Sequence, residues 1–178
     1  MSYELFVQKR IIEPLEMNNS FIGYLQKDKS NLASPHKIVD GKLVPFENFS
    51  DMMNGAATDM KANVHDLSKW MIMHLNQGKY GDSLQYQLFT EASQREMWRI
   101  HTVIDGAPNK RYNTHFYGYG LGWGIRDVKG YKRVSHTGGL PGMLSTTIMI
   151  PDINLGMVIL TNTDPGGSSL FNAVSNSI

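Results

Sequence analysis

Tyr117-Gly118-Tyr119-Gly120-Leu121-Gly122-Trp123-Gly124-Ile125 marks the point where this chain changes period. Bulky side chains alternate with glycines, the spacing of a strand with one bulky face and one bare face. A bare face lets a helix or another backbone pack closely. The strand period continues downstream. Lys129-Gly130 is a hairpin turn candidate, Tyr131 to Thr137 the next strand, and Gly138 to Gly142 a tight connection. Met143 to Ile150 reads as a third strand, Pro151-Asp152-Ile153-Asn154 as a turn, and Leu155 to Thr161 as a fourth strand. Connections this short make the four strands antiparallel neighbours. After Pro165-Gly166-Gly167, Ser168 or Ser169 can cap a last helix with apolar positions Leu170, Phe171, Val174 and Ile178.

The other half reads as helices joined by polar loops. Ser2 can cap a helix whose apolar positions are Phe6, Val7 and Ile11, and Pro14 stops it. Residues 18–62 are loop-rich, broken by Pro35, Gly41, Pro45 and Gly55. Asn63 then looks like an N-cap, with Asp66 accepting from the first turn. Leu67, Trp70, Met71 and Leu75 form one apolar stripe, with Gly78 as C-cap. Thr90 can cap a short helix through Met97 and Trp98. The reading is α+β, one incomplete domain over 1–178. Residues 1–112 are mainly helical and loop, and 113–178 are antiparallel strands plus a C-terminal helix.

Composition narrows the function. Seventeen basic against sixteen acidic residues leave a formal charge of +1, which offers no field to nucleic acid or anionic lipid. No apolar run approaches the roughly 20 residues of a membrane span. The absence of Cys excludes disulfides, thiol catalysis and thiolate metal sites. His65 and His74 stand nine apart, not the i, i+4 spacing of a zinc helix, so no metal is expected. No Gly-rich segment precedes a helix carrying Lys-Ser/Thr, so phosphate binding by such a loop is unsupported, and no cofactor is expected. Lys9-Arg10 and Lys132-Arg133 read as pairs on solvated faces.

The chemistry-bearing segment is His136-Thr137-Gly138-Gly139-Leu140-Pro141-Gly142. Glycines let backbone approach a substrate closely, and His136 adds a donor, and sometimes a charge, beside it.

Together these pieces resemble a known family. In order they are Ile12-Glu13-Pro14-Leu15-Glu16-Met17, Asp66-Leu67-Ser68-Lys69-Trp70-Met71 and Tyr119-Gly120-Leu121-Gly122-Trp123. The His136–Gly142 segment follows, then Ile150-Pro151-Asp152 and Val158-Ile159-Leu160-Thr161-Asn162. The pattern is similar to the C-terminal portion of the serine β-lactamase-related family, which includes class C β-lactamases, D,D-carboxypeptidases, D-aminopeptidases and related esterases. The resemblance implies a β-lactamase/transpeptidase-like fold and acyl transfer. In that family a Ser in S-x-x-K attacks a carbonyl, and a K-T-G or H-x-G motif faces it.

His136-Thr137-Gly138 matches the third motif. The resemblance implies that His136 holds a substrate carboxylate or polarises the site, with Thr137 and Gly138 against the substrate. It implies that the Gly139 N–H is an oxyanion donor. One such donor is worth about 3–4 kcal/mol in the transition state. A His at this position has a reference pKa of about 6.5, against about 10.4 for Lys. It is largely neutral at pH 7, which favours a peptidase or esterase over a β-lactamase.

Two motifs are missing. The only S-x-x-K match, Ser34-Pro35-His36-Lys37, falls in a polar loop, whereas the chemistry needs Ser and Lys one turn apart on a buried helix. No Tyr-x-Asn or Ser-x-Asn occurs. The expectation is therefore a C-terminal fragment of a serine acyl-hydrolase, inactive alone. The alternative is a non-catalytic module that binds peptidoglycan peptides or β-lactams. Expected partners are a small-molecule or peptide substrate and, through an unpaired sheet edge, further copies of the chain. Family habit places the parent in the periplasm or outside the cell.

Overall fold

Six strands make the main sheet of this computed structural model, which describes residues 1–23, 30–48, 55–105 and 110–177. Across the sheet they run Leu155–Thr161, Met143–Ile150, Tyr131–Leu140, Gly124–Val128, Tyr117–Tyr119 and Thr102–Val103. Each strand lies beside its neighbour in sequence, through short connections everywhere but at residues 104–116, which join Val103 to Tyr117. Tyr131 pairs with Val128 and Ser135 with Gly124, antiparallel, around the Lys129-Gly130 turn. Lys129 at φ 50° and Gly130 at φ 89° supply the two left-handed residues of a tight hairpin.

The Tyr117–Ile125 repeat is two strands, not one. It breaks after Tyr119, where Gly120 N–H donates to Trp123 O at 2.8 Å and Gly122 takes φ 79°. Glycines that read as a bare face are the residues that let the chain double back. Tyr119 thereby comes to pair with Gly124. Strands lie where only loop was expected: Phe21–Ile22 pairs antiparallel with Met60–Lys61, and His36–Val39 pairs antiparallel with Lys42–Pro45 and parallel with Thr163–Asp164. Ile38, Val39, Leu43 and Val44 are all exposed, so this hairpin lacks the in–out alternation that betrays a half-buried strand.

Chain contacts gather into two groups. The first comprises Ser68–His136 with Thr147–Val158. Its core is Met71, Trp98, Trp123, Ile125, Val134 and Met149, with Leu75, Met97 and Val158 packed against it. Met71 and Leu75 come from the Val64–Leu75 helix; of the predicted stripe Met71 is buried while Leu67, Trp70 and Leu75 are half-buried, and Met73 and His74, outside that stripe, are buried more deeply. Thr90 caps the Glu91–Met97 helix by accepting from Ser93 N–H at 3.1 Å. At the centre lies His74, 1% exposed. Its ring is surrounded by Trp70, Phe89, Trp98 and Trp123, with centroids 4.4, 5.1, 5.9 and 5.2 Å away. Burial pushes its pKa down to about 4, with the adjacent Gln94 amide acting in the opposite direction.

The second group comprises Met1–Leu67, Thr137–Thr146 and the residues from Ile159 onward. Ser2 caps the first helix, Tyr3–Val7, which runs on as a π-helical turn over Gln8–Ile12. Val7 and Ile12 turn inward while Phe6 is exposed and Ile11 half-buried, so of the positions the α-helical period selects only Val7 is buried, and widening the helix brings in Ile12. Asn63 Oδ1 accepts from Asp66 N–H at 2.8 Å, as an N-cap should. Asp66 is more than a first-turn acid. Its carboxylate is buried and accepts from Asn19 N–H and Ser20 Oγ, each at 2.8 Å. The Gly167–Ser175 helix is capped by Gly166 at φ 115° rather than by Ser168 or Ser169. Ile178, expected at its end, lies outside the described residues.

Candidate functional site

The strand Tyr131–Leu140 outruns its neighbour. Residues 131–135 pair with 128–124, and the pairing stops at Ser135 because the neighbouring chain turns away at Gly124. His136, Thr137, Gly138 and Gly139 continue as strand past that point and are all exposed. The strand is interior to the sheet over its first half and, among the described residues, has no strand paired to that flank over its second.

Hydrogen-bond alternation fixes which amides face that flank. A two-residue turn makes its closing pair a bonded pair, and bonded residues then recur at every second position. From the Lys129-Gly130 turn, Tyr131, Arg133 and Ser135 point their N–H groups toward Gly124–Val128. From the Pro141-Gly142 turn, Leu140 and Gly138 point theirs toward Met143–Ile150. Both counts leave Thr137 and Gly139 directed to the side where the neighbour has ended.

Local packing explains the glycines. A Cβ on Gly138 would overlap Ser145 Oγ, whereas one on Gly139 would make ordinary contact with Leu144 at 3.5 Å. Gly142, at φ 70°, closes the hairpin after Pro141, the residue order of a tight turn with a left-handed third position. Its Cα faces Pro35 and Phe46 so closely that a Cβ would come within 2.6 Å of the Pro35 ring and 2.7 Å of the Phe46 ring.

The partner of His136 is Tyr119, a residue the alternating pattern places only on the bulky face of a single strand. The Tyr119 hydroxyl lies 2.8 Å from His136 Nε2, with the rings edge to face at 6.0 Å. The His136 carbonyl accepts from Thr147 Oγ1 at 3.4 Å. Tyr119 was legible only as one member of a bulky alternating face; the turn at 120–123 separates it from Trp123 and frees it.

Ser34-Pro35-His36-Lys37 is not a helix. Ser34 precedes a strand that begins at His36, and Pro35 is fully buried. The Ser34 carbonyl accepts from Asn162 Nδ2 at 3.0 Å, and His36 Nδ1 sits 3.1 Å from Asn162 O. Ser34 and Lys37 therefore do not share a helical face. Lys132 is likewise not a simple solvated charge. Its ammonium reaches Trp98 O at 3.3 Å and lies 5.5 Å from the Trp98 ring centroid.

The model of the Beta-lactamase family matches residues 1–174, and the chain belongs to that family. Three solved structures share its fold. A penicillin-binding protein homologue from Pyrococcus abyssi, described as octameric, superposes with a TM-score of 0.75 at 24% identity, over 98% of this chain and 38% of its own. A D-stereospecific amidohydrolase from a Streptomyces species gives 0.71 at 22%, over 96% and 46%. A penicillin-binding protein from Bacillus halodurans gives 0.77 at 14%, over 100% and 50%. The chain thus spans half or less of the length of these structures. The α+β fold with its antiparallel sheet is of the β-lactamase/transpeptidase type. Among the described residues no helix is long and apolar enough to cross a membrane.

Proposed function

We propose that this chain forms the H-T-G wall of a serine acyl-hydrolase that works through an acyl-enzyme. The observation that carries the reading is the overhang of residues 136–140 beyond Gly124. It turns the Gly139 N–H away from the sheet ladder, as an oxyanion donor requires. His136 binds or polarises the substrate from the same strand, held through Nε2 by Tyr119. Thr137 and Gly138 lie against the substrate backbone.

The nucleophilic serine is not supplied by these 178 residues, since the one S-x-x-K match is in a strand-leading segment. The substrate class is an amide, a β-lactam or an ester. A histidine in place of lysine favours the peptide or ester. The same free flank supports self-association by strand addition, readable as a mass above 20.0 kDa in light scattering.

The test is covalent labelling. The purified chain, treated with a fluorophosphonate and separately with penicillin, is expected to carry no adduct on any serine. An adduct on Ser34 or another serine of the chain overturns the assignment. In a polypeptide that joins these residues to an S-x-x-K helix, Gly139→Pro is expected to lower kcat by roughly 10²–10³, the worth of one oxyanion donor.

A further inference from the structure

On the sheet face opposite the Ile125 and Val134 core, two arginines stand directly across from one another. Arg133 is the register partner of Arg126, and Arg126 is in turn the partner of Tyr117. Like charges directly opposite on adjacent strands are destabilising unless something compensates them. No acid does so here among the described residues. The charged or titratable groups that act on Arg133 are Arg126, Tyr112 and Tyr117.

The nearby carboxylates are committed elsewhere. Asp127, on the other face of the strand, accepts from Phe116 N–H at 2.7 Å and from His115 N–H at 2.9 Å. Asp152 accepts from Lys132 N–H at 2.6 Å. Both arginines are half-buried, and the Nε of each is buried without a hydrogen-bond partner among the described residues. Burial pushes the Arg133 guanidinium down to about 10, with the Arg126 charge acting in the same direction, so Arg133 stays cationic at neutral pH.

We propose that Arg126 and Arg133 form a binding site for a phosphate group, seated between the two guanidinium forks. Two opposed cations match a dianion better than the single charge of a carboxylate, and a guanidinium offers paired N–H donors to oxyanions. The Tyr117 row-mate places a phenol beside the same spot. The site lies on the opposite face from His136 and does not depend on the acyl-transfer reading.

The experiment is a titration of the intact chain with inorganic phosphate at constant ionic strength, following the arginine Nε–H resonances by NMR. Saturable shifts at both Arg126 and Arg133 are expected, with acetate binding about tenfold more weakly. Arg133→Lys keeps the charge and loses the fork, and is expected to weaken phosphate about tenfold. A linear, non-saturating response, equal behaviour of acetate and phosphate, or undiminished saturation in the Arg126→Gln/Arg133→Gln double variant overturns the site.

Discussion

The Tyr119 hydroxyl and His136 Nε2 meet at 2.8 Å although their side chains leave opposite faces of the sheet. Tyr119, Gly124 and Ser135 form one cross-strand row, and His136, one residue on, projects to the other side. A continuous strand between them would forbid the contact. It forms because the intervening strand begins at Gly124, so the Tyr119 ring passes the end of the ladder.

That bond ties the histidine ring to Tyr119 through Nε2, the hydroxyl donating or accepting according to the tautomer. Tyr119→Phe is expected to shift the His136 ring ¹⁵N resonances while costing about 1 kcal/mol or less in stability. Identical ring ¹⁵N shifts in the two proteins would remove Tyr119 as the residue that positions His136.

The strand overhang is readable by amide hydrogen exchange. Thr137 and Gly139 are expected to exchange at least about tenfold faster than Gly138 and Leu140, whose N–H groups enter the ladder with Met143–Ile150. Uniform protection across 137–140 would contradict the free flank and with it the oxyanion assignment.

His74 makes stability depend on acid. Its folded pKa is about 4, below the unfolded value of about 6.5, so the unfolded chain binds the extra proton between these values. Stability from this group is complete above pH 6.5, falls as pH drops toward 4, and is lost below that. The loss is about 3 kcal/mol. Denaturant melts of wild type and His74→Phe between pH 7 and 4 are expected to diverge by that amount. Parallel curves would mean that the buried imidazole does not titrate in this window.

Asp66 ties Asn19 and Ser20 to the start of the Val64–Leu75 helix. Asp66→Ala strands a buried hydroxyl and an amide N–H, and is expected to cost about 3 kcal/mol. Asp66→Asn keeps one acceptor oxygen and is expected to cost about half as much. Equal midpoints for the two variants in urea would show that the carboxylate oxygens are not what holds the loop.

Gly142→Ala combines a left-handed backbone with overlap onto Pro35 and Phe46, and is expected to cost about 3 kcal/mol. Gly139→Ala, with room for a methyl, is expected to stay within about 1 kcal/mol of wild type in the same thermal melts. A reversed order would refute the packing account of this hairpin.

Sequence period carried the main sheet well where strands are long. Met143–Ile150 and Leu155–Thr161 lie where their apolar runs place them. It failed where periodicity has too few residues to register, as in Thr102–Val103, or where both faces are wet, as in His36–Val39. The helix starts at Ser2, Asn63 and Thr90 were legible because capping is chemistry between near neighbours. Of the candidate site, the His136–Gly142 segment was visible as a motif. Its partner Tyr119 was hidden, because a repeat of tyrosine, tryptophan and glycine reads the same whether it continues straight or folds back. Arg126 and Arg133 were invisible as a pair, since only the strand register sets them opposite one another.

The early stop of the strand at Gly124 has a consequence for how such a chain can change. Where that strand begins decides whether the backbone of residues 136–140 is spent on the sheet or left for a ligand. Moving the bend after Tyr119 upstream by four residues would set positions 122 and 120 opposite Thr137 and Gly139, zip both into ordinary pairing, and close the wall without altering one of its residues. The length of a neighbouring strand is therefore a control on how much of the 136–140 backbone stays unpaired, adjustable by a short insertion or deletion in the 120–123 bend.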